Sequence, residues 1–123
     1  MGIKPTIEYR ENILVLRLKG ARTLYDHDEI NSLIISELQK FEHKKAVIDF
    51  IGVKGKRSIV ESIQTADSFP LDFRQYKIAI IESTDNREAA VAEESVFKNR
   101  GFILRAFFDL DDGINWLQSL NNE

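Results

Sequence analysis

This chain has no cysteine, two histidines, one methionine and one tryptophan, and its apolar runs are no longer than a strand. Without cysteine there can be no disulfide framework, no thiolate nucleophile and no cysteine metal site, which suits a cytoplasmic protein. The histidines, His27 and His43, fall at opposite ends of one predicted helix. At 1.5 Å rise per residue they stand roughly 24 Å apart, so they cannot share a site. No histidine neighbours a plausible serine nucleophile, so a hydrolytic triad has little support. No stretch is long enough for a transmembrane helix, and the start lacks the apolar core of a secretory signal. The net charge is −3 with both signs mixed along the chain, where a nucleic-acid binder would carry a basic face. The expectations are therefore no nucleic-acid partner, no integral membrane segment, no metal site and no cofactor.

What is present is an ordinary globular composition. The chain has 123 residues, enough for one domain, with 43% hydrophobic and 30% charged residues. Residues 6–9 and 13–19 alternate as strands, and the short polar connector Arg10-Glu11-Asn12 predicts an antiparallel hairpin ended by Gly20. Asp26 with Glu29 three residues on opens a helix whose apolar face is Ile30, Leu33, Ile34, Leu38 and Phe41, with Lys40, His43, Lys44 and Lys45 in its last turn. Residues 46–51 are almost wholly apolar, as in a strand covered on both faces. A loop over 52–57 leads to Ser58, which caps a helix to about Ser68 with Ile59, Ile63 and Ala66 inward, broken by Phe69-Pro70-Leu71-Asp72. Residues 76–82 form another buried strand. Asp85 and Glu88 repeat the helix-start pattern, and that helix runs to Arg100 with Gly101 as its terminator. A strand over 102–107 and a helix opened by Asp109 and Asp112, with Ile114, Leu117 and Leu120 inward and Trp116 beside them, complete the order β-β-α-β-α-β-α-β-α. That order predicts an α/β fold: a mixed, mostly parallel five-stranded sheet with four helices.

This order resembles the STAS superfamily, the fold of anti-sigma-factor antagonists, and most closely its SpoIIAA-like branch, related in shape to lipid-binding CRAL-TRIO domains. The most specific part is the C-terminal stretch 107–117, a strand ending in aromatics, an acidic helix start and the pair Trp116-Leu117. The resemblance covers about Thr6 to Leu120 and implies a bacterial, cytoplasmic, non-enzymatic module that binds a partner protein or a small anionic or amphipathic ligand, alone or as a homodimer. It also implies two alternatives. One is a lipid or apolar-ligand carrier, which needs a cavity of a few hundred Å³. The other is a phospho-regulated antagonist acting through Ser58, which matches the family's phosphorylated serine. In the family pattern Asp-Ser-Ser/Thr-Gly, this chain departs at Arg57 and Val60.

Among the residues themselves, the loop Gly52, Val53, Lys54, Gly55, Lys56, Arg57 and Ser58 carries the most suggestive chemistry. Two glycines can turn backbone amides toward a ligand, and three cations surround a helix N-terminus, a setting that attracts anions. It is not a Walker loop, since Phe50 and Arg57 stand where glycine and Ser/Thr are required. The run Asp26-His27-Asp28-Glu29 reads as capping and dipole compensation rather than a metal site. The acidic pairs Glu93-Glu94 and Asp111-Asp112 read as solvated helix surface. The aromatics of Phe69-Pro70-Leu71-Asp72-Phe73 are expected to tuck under the sheet. Phe97, Phe102, Phe107, Phe108 and Trp116 either fill a core or line a cavity, which the sequence alone leaves open.

Overall fold

The hairpin expected from alternation at the start of the chain is longer than the alternation indicates. A computed structural model describes residues 3–21 and 26–120. In it β1 (Ile3–Arg10) pairs antiparallel with β2 (Ile13–Ala21) around a tight turn in which Glu11 takes a left-handed φ of 55°. Gly20 does not end β2 but pairs with both Ile3 and Val53. The helix α1 (Asp26–Lys40) follows, then β3 (Lys45–Lys54), α2 (Ile59–Ser68), β4 (Lys77–Ile81), α3 (Arg87–Asn99), β5 (Ile103–Phe107) and α4 (Leu110–Ser119). The strands lie in chain order, β1-β2-β3-β4-β5, and β2 to β5 are all parallel. This is the mixed, mostly parallel five-stranded sheet with four helices that the element order predicts.

The sheet separates two cores of unequal size. On one face Leu14, Leu16, Leu18, Ala46, Ile48, Phe50, Ile78 and Ile80 meet Ile30, Ile34 and Leu38 of α1, Ala66 of α2 and Phe97 of α3. On the other face Ile13, Val15, Val47, Ala79 and Ile81 meet Ile114 and Leu117 of the single helix α4, with Leu110 and Trp116 packed beside them. Burial on both faces explains the almost wholly apolar runs of β3 and β4. Phe69, Phe73, Phe97 and Phe102 pack in a chain of edge-to-face and tilted contacts with centroids 5.2–5.7 Å apart, so these aromatics fill the core.

The helix ends show where local signals held and where they did not. Gly101, at φ +86°, terminates α3 with the paired bonds Phe102 N–H to Phe97 O and Gly101 N–H to Lys98 O, both 3.0 Å. Asp109 caps α4 by accepting from Asp111 N–H. Asp85 is not the cap of α3. Ser83 caps a preceding 3₁₀ turn (Thr84–Asn86), and Asn86 makes no side-chain cap bond because that side chain is turned to the loop before α2. The side chain of Asp26 lies outside the described residues. Lys40 alone is the basic residue in the last turn of α1, since the helix stops before His43. Lys45 instead opens β3 and donates to Leu120 O at 3.1 Å.

The pairing of β2 with β3 slips between Arg17 and Lys19: Arg17 faces Asp49, while Lys19 faces Gly52. Two steps on β2 thus meet three on β3, a bulge that bends the strand end. A Cβ at Gly52 would lie 2.9 Å from the carbonyl oxygen of Leu18, backbone that cannot yield. Gly52→Ala should therefore lower stability by about 1–3 kcal/mol in urea denaturation. An unchanged midpoint would show that the bulge gives no such close approach.

Candidate functional site

Sequence reasoning singled out the segment from Gly52 to Ser58, and the structure divides it among three environments. Gly52, Val53 and Lys54 belong to β3, which runs three residues past the expected strand end. The loop proper is Gly55, at φ +114°, followed by Lys56 and Arg57. Ser58 caps α2 with a complete capping box: its Oγ accepts from Glu61 N–H at 3.1 Å, and the Glu61 carboxylate accepts from Ser58 N–H at 3.3 Å.

Arg57 does not face solvent with the two lysines. Its side chain is 6% exposed and enters the core between β4 and α3. Nη1 donates to Glu82 Oε2 at 2.6 Å, and Nη2 pairs with Glu93. Nη2 also lies 3.5 Å from Ser62 Oγ, which donates to Glu93 Oε1 at 3.3 Å. The guanidinium carbon sits 5.1 Å from the centroid of Phe50. Asn86 closes the other side of the loop: its Oδ1 accepts from Arg57 N–H at 2.9 Å and its Nδ2 donates to Gly55 O at 3.3 Å. Two buried carboxylates meet one guanidinium, and every polar partner is used within the protein. Arg57, expected among the anion contacts, is instead the group that holds the loop.

Three of the partners escaped sequence reasoning. Glu93 was expected on a solvated face, yet it is buried. The signal for it was present: Glu93 falls on the helical face shared by Ala89, Ala90 and Phe97. Glu82 directly follows the apolar run of β4, on the side that Ile78 and Ile80 mark as core. Ser62 is fully buried on α2. Glu94, paired with Glu93 in the sequence reading, accepts from Ala106 N–H at 2.7 Å.

The face of α2 differs from expectation in the opposite sense. Ile59 and Ile63, expected inward, are 46% and 38% exposed, and Val60 is 62% exposed. The buried side of α2 is Ser62, Thr65 and Ala66. The polar residues Ser62 and Thr65 serve the ion network and the contact with α1, where Asn31 donates to Thr65 Oγ1 at 3.3 Å. The apolar residues are left outside, directly after the loop. Lys54 and Lys56 border a shallow depression of about 430 Å³ with Ser83, Asp85 and Asn86.

The space between the helices and the sheet, beside His27, Asn31, Thr65 and Arg57, is about 30 Å³. That is room for about two waters. The carrier alternative expects a few hundred Å³ there. Among the described residues no group of three His, Asp or Glu side chains could hold a metal ion, and no helix is long and apolar enough to cross a membrane.

No protein-family model and no curated protein matches the chain. Solved structures do. An anti-sigma factor antagonist from Mycobacterium paratuberculosis superposes with a TM-score of 0.65 at 14% identity, covering 95% of each chain. An uncharacterised protein with a SpoIIAA-like fold from Shewanella loihica gives a TM-score of 0.58 at 21% identity, covering 94% of each chain. The unphosphorylated anti-sigma factor antagonist SpoIIAA gives 0.54 at 13% identity, covering 97% of this chain and 100% of its own. The chain therefore has the SpoIIAA-like fold.

Two substitutions probe the loop. Arg57→Met leaves two carboxylates buried without their cation and should cost about 3–5 kcal/mol. The triple variant Arg57→Met, Glu82→Met, Glu93→Met should cost less than that single change, because no charge is left unpaired; equal or greater loss in denaturant melts would refute the pairing. Ser58→Ala should cost about 1 kcal/mol through the lost cap, measured by the same melts.

Proposed function

We propose that this chain is a non-enzymatic regulatory module of the STAS type that binds a partner protein through the loop Gly55–Ser58 and the outer face of α2. The observation that carries the reading is the patch of Ile59, Val60 and Ile63 exposed immediately after a loop that is pinned from beneath. Exposed branched apolar residues grouped on one helix are a normal feature of a contact surface and a poor one for a solvated helix. Pinning the loop by Arg57, Glu82, Glu93 and Asn86 lowers the ordering cost of association, because the loop is already in one conformation. The solved structures of similar fold include anti-sigma factor antagonists, which supports a protein as the partner.

The titratable side chains that converge, Arg57, Glu82 and Glu93, are buried against one another rather than aimed into a cleft, and this supports a binding role over catalysis. The small interior space counts against the carrier alternative. Lys54, Lys56 and the Gly55 backbone form the exposed part of the anion-binding hypothesis, with Gly52 and Arg57 serving as its support. In this reading they contact acidic groups of the protein partner.

Ser58 supports a second, phospho-regulated reading because it is exposed at the first turn of a helix. A phosphate there would gain from the helix dipole but would face the Glu61 carboxylate, breaking that half of the capping box. Such a modification would alter the partner face at its edge.

The test is calorimetric titration of the purified protein with the anti-sigma factors of its own organism. Val60→Asp and Ile63→Asp should each weaken binding by about tenfold or more while leaving the thermal midpoint within a few degrees of wild type. Absence of binding to every anti-sigma factor, or binding indifferent to both substitutions, would overturn the assignment.

A further inference from the structure

The face of the sheet opposite α1, α2 and α3 is only half covered. α4 lies over β3, β4 and β5 and over Ile13 and Val15 of β2, leaving the outer side of β1, the second half of β2 and the end of β3 without a helix among the described residues. An open groove of about 970 Å³ runs there, lined by Thr6, Arg17, Lys19, Ile51 and Phe108, with Asp49 and Asp109 also on its wall. The pairing register collects cations on this face of the sheet, in the groove and at its edge. Lys4 stands directly opposite Lys19, and Arg17 opposite Thr6. Lys54 joins them beyond Gly52, where the bulge brings β3 back into step with β2.

Like charges directly opposite each other across two strands repel, so the Lys4–Lys19 pair is a cost to the hairpin. The acids nearby do not relieve it. Asp49 is taken by Ile51 N–H at 2.9 Å and by Arg17, whose Nε lies 3.7 Å away, too far for a hydrogen bond. Asp109 is spent on capping α4, and Glu8 pairs with Arg10. Among the described residues Lys4, Lys19 and Lys54 have no acidic partner.

The cations are strung out rather than convergent. Neighbours on one strand face are about 6–7 Å apart and cross-strand partners about 5 Å. A single phosphate needs donors that point to one centre. Carboxylates at alternate residues of an extended chain repeat at about 6–7 Å, which matches the string. A second copy of this chain would bring cations against cations. We infer that this groove is a second interaction surface, which meets the loop surface only at Lys54, and that it takes an extended acidic segment of a partner protein. The carboxylates pair with Lys4, Lys19, Lys54 and Arg17, and the intervening side chains rest against Ile51 and Phe108.

The probe is a short labelled peptide of alternating glutamate and threonine, followed by fluorescence anisotropy on the whole chain at low and high salt. A peptide of alternating lysine and threonine, inorganic phosphate and phosphatidylserine vesicles serve as comparisons. The glutamate peptide should bind, and weaken steeply with salt. The triple variant Lys4→Glu, Lys19→Glu, Lys54→Glu should lose about tenfold or more of that affinity, while Lys98→Glu on α3 and Val60→Asp on α2 should leave it unchanged. Circular dichroism of the triple variant checks that it is folded, and Lys19→Ala gives the same direction with a smaller loss. Three results would overturn the inference: no preference for the glutamate peptide over the lysine one, binding reduced by Val60→Asp and not by the triple variant, or capture of phosphate or vesicles alone. The second result would move the peptide to the α2 face; the first and third leave that face to its own titration.

Discussion

The buried meeting of Arg57 with Glu82 and Glu93 is the constraint from which the rest of the site follows. It joins three pieces that the sheet alone would leave independent: the loop after β3, the end of β4 and the middle of α3. An arginine can do this where a lysine could not, because its planar fork reaches two carboxylates and stacks against Phe50 at once. Such a network is weak as a source of net stability, since desolvating three charges offsets much of their attraction. Its contribution is to specify one loop conformation and therefore one orientation of Ser58 and the first turn of α2. Placing Ser62 inward to serve the network also turns Ile59 and Ile63 outward. The exposed apolar face and the buried ions are two sides of one helix rotation.

The sequence made the fold legible because its signals are local and repeated. Largely apolar runs at 46–51 and 76–82, glycine at the end of α3 and aspartate at the start of α4 each say one thing about one place. The site was less legible because it depends on helix rotation and strand register. Ile59 and Ile63 follow helical spacing, and nothing in that spacing says which face is buried. The answer lies in Glu93, thirty residues away, which needs a partner. Arg57 reads as a loop cation and Glu93 as a surface acid, and the structure buries the two against each other. Gly52 misled in a similar way: a glycine that reads as the start of a loop is required in the strand, where the Leu18 carbonyl approaches it.

The unequal covering of the sheet gives the molecule two different sides. Three helices bury one face of β2 to β5, with aromatic contacts filling what space remains. A single helix covers part of the other, and its N-terminus borders the cationic groove. The two proposed surfaces meet near Lys54, which borders both the loop depression and the groove. An event at the loop therefore has a short path to the open face through the last turn of β3, whose position is set by the bulge at Gly52.

The coincidence of strand order with chain order bears on how the protein comes to be made. Each strand, as it leaves the ribosome, finds its sheet neighbour already in place, so the sheet can grow by accretion with little waiting for distant contacts. The lock on the loop follows a different schedule. Arg57 emerges well before Glu82, and Glu82 before Glu93, so the loop and the exposed face of α2 stay unfixed until α3 has been synthesised. A nascent chain of this protein can thus own most of its sheet while the loop and the first turn of α2 are still unfixed, a built-in delay between forming the sheet and setting the loop.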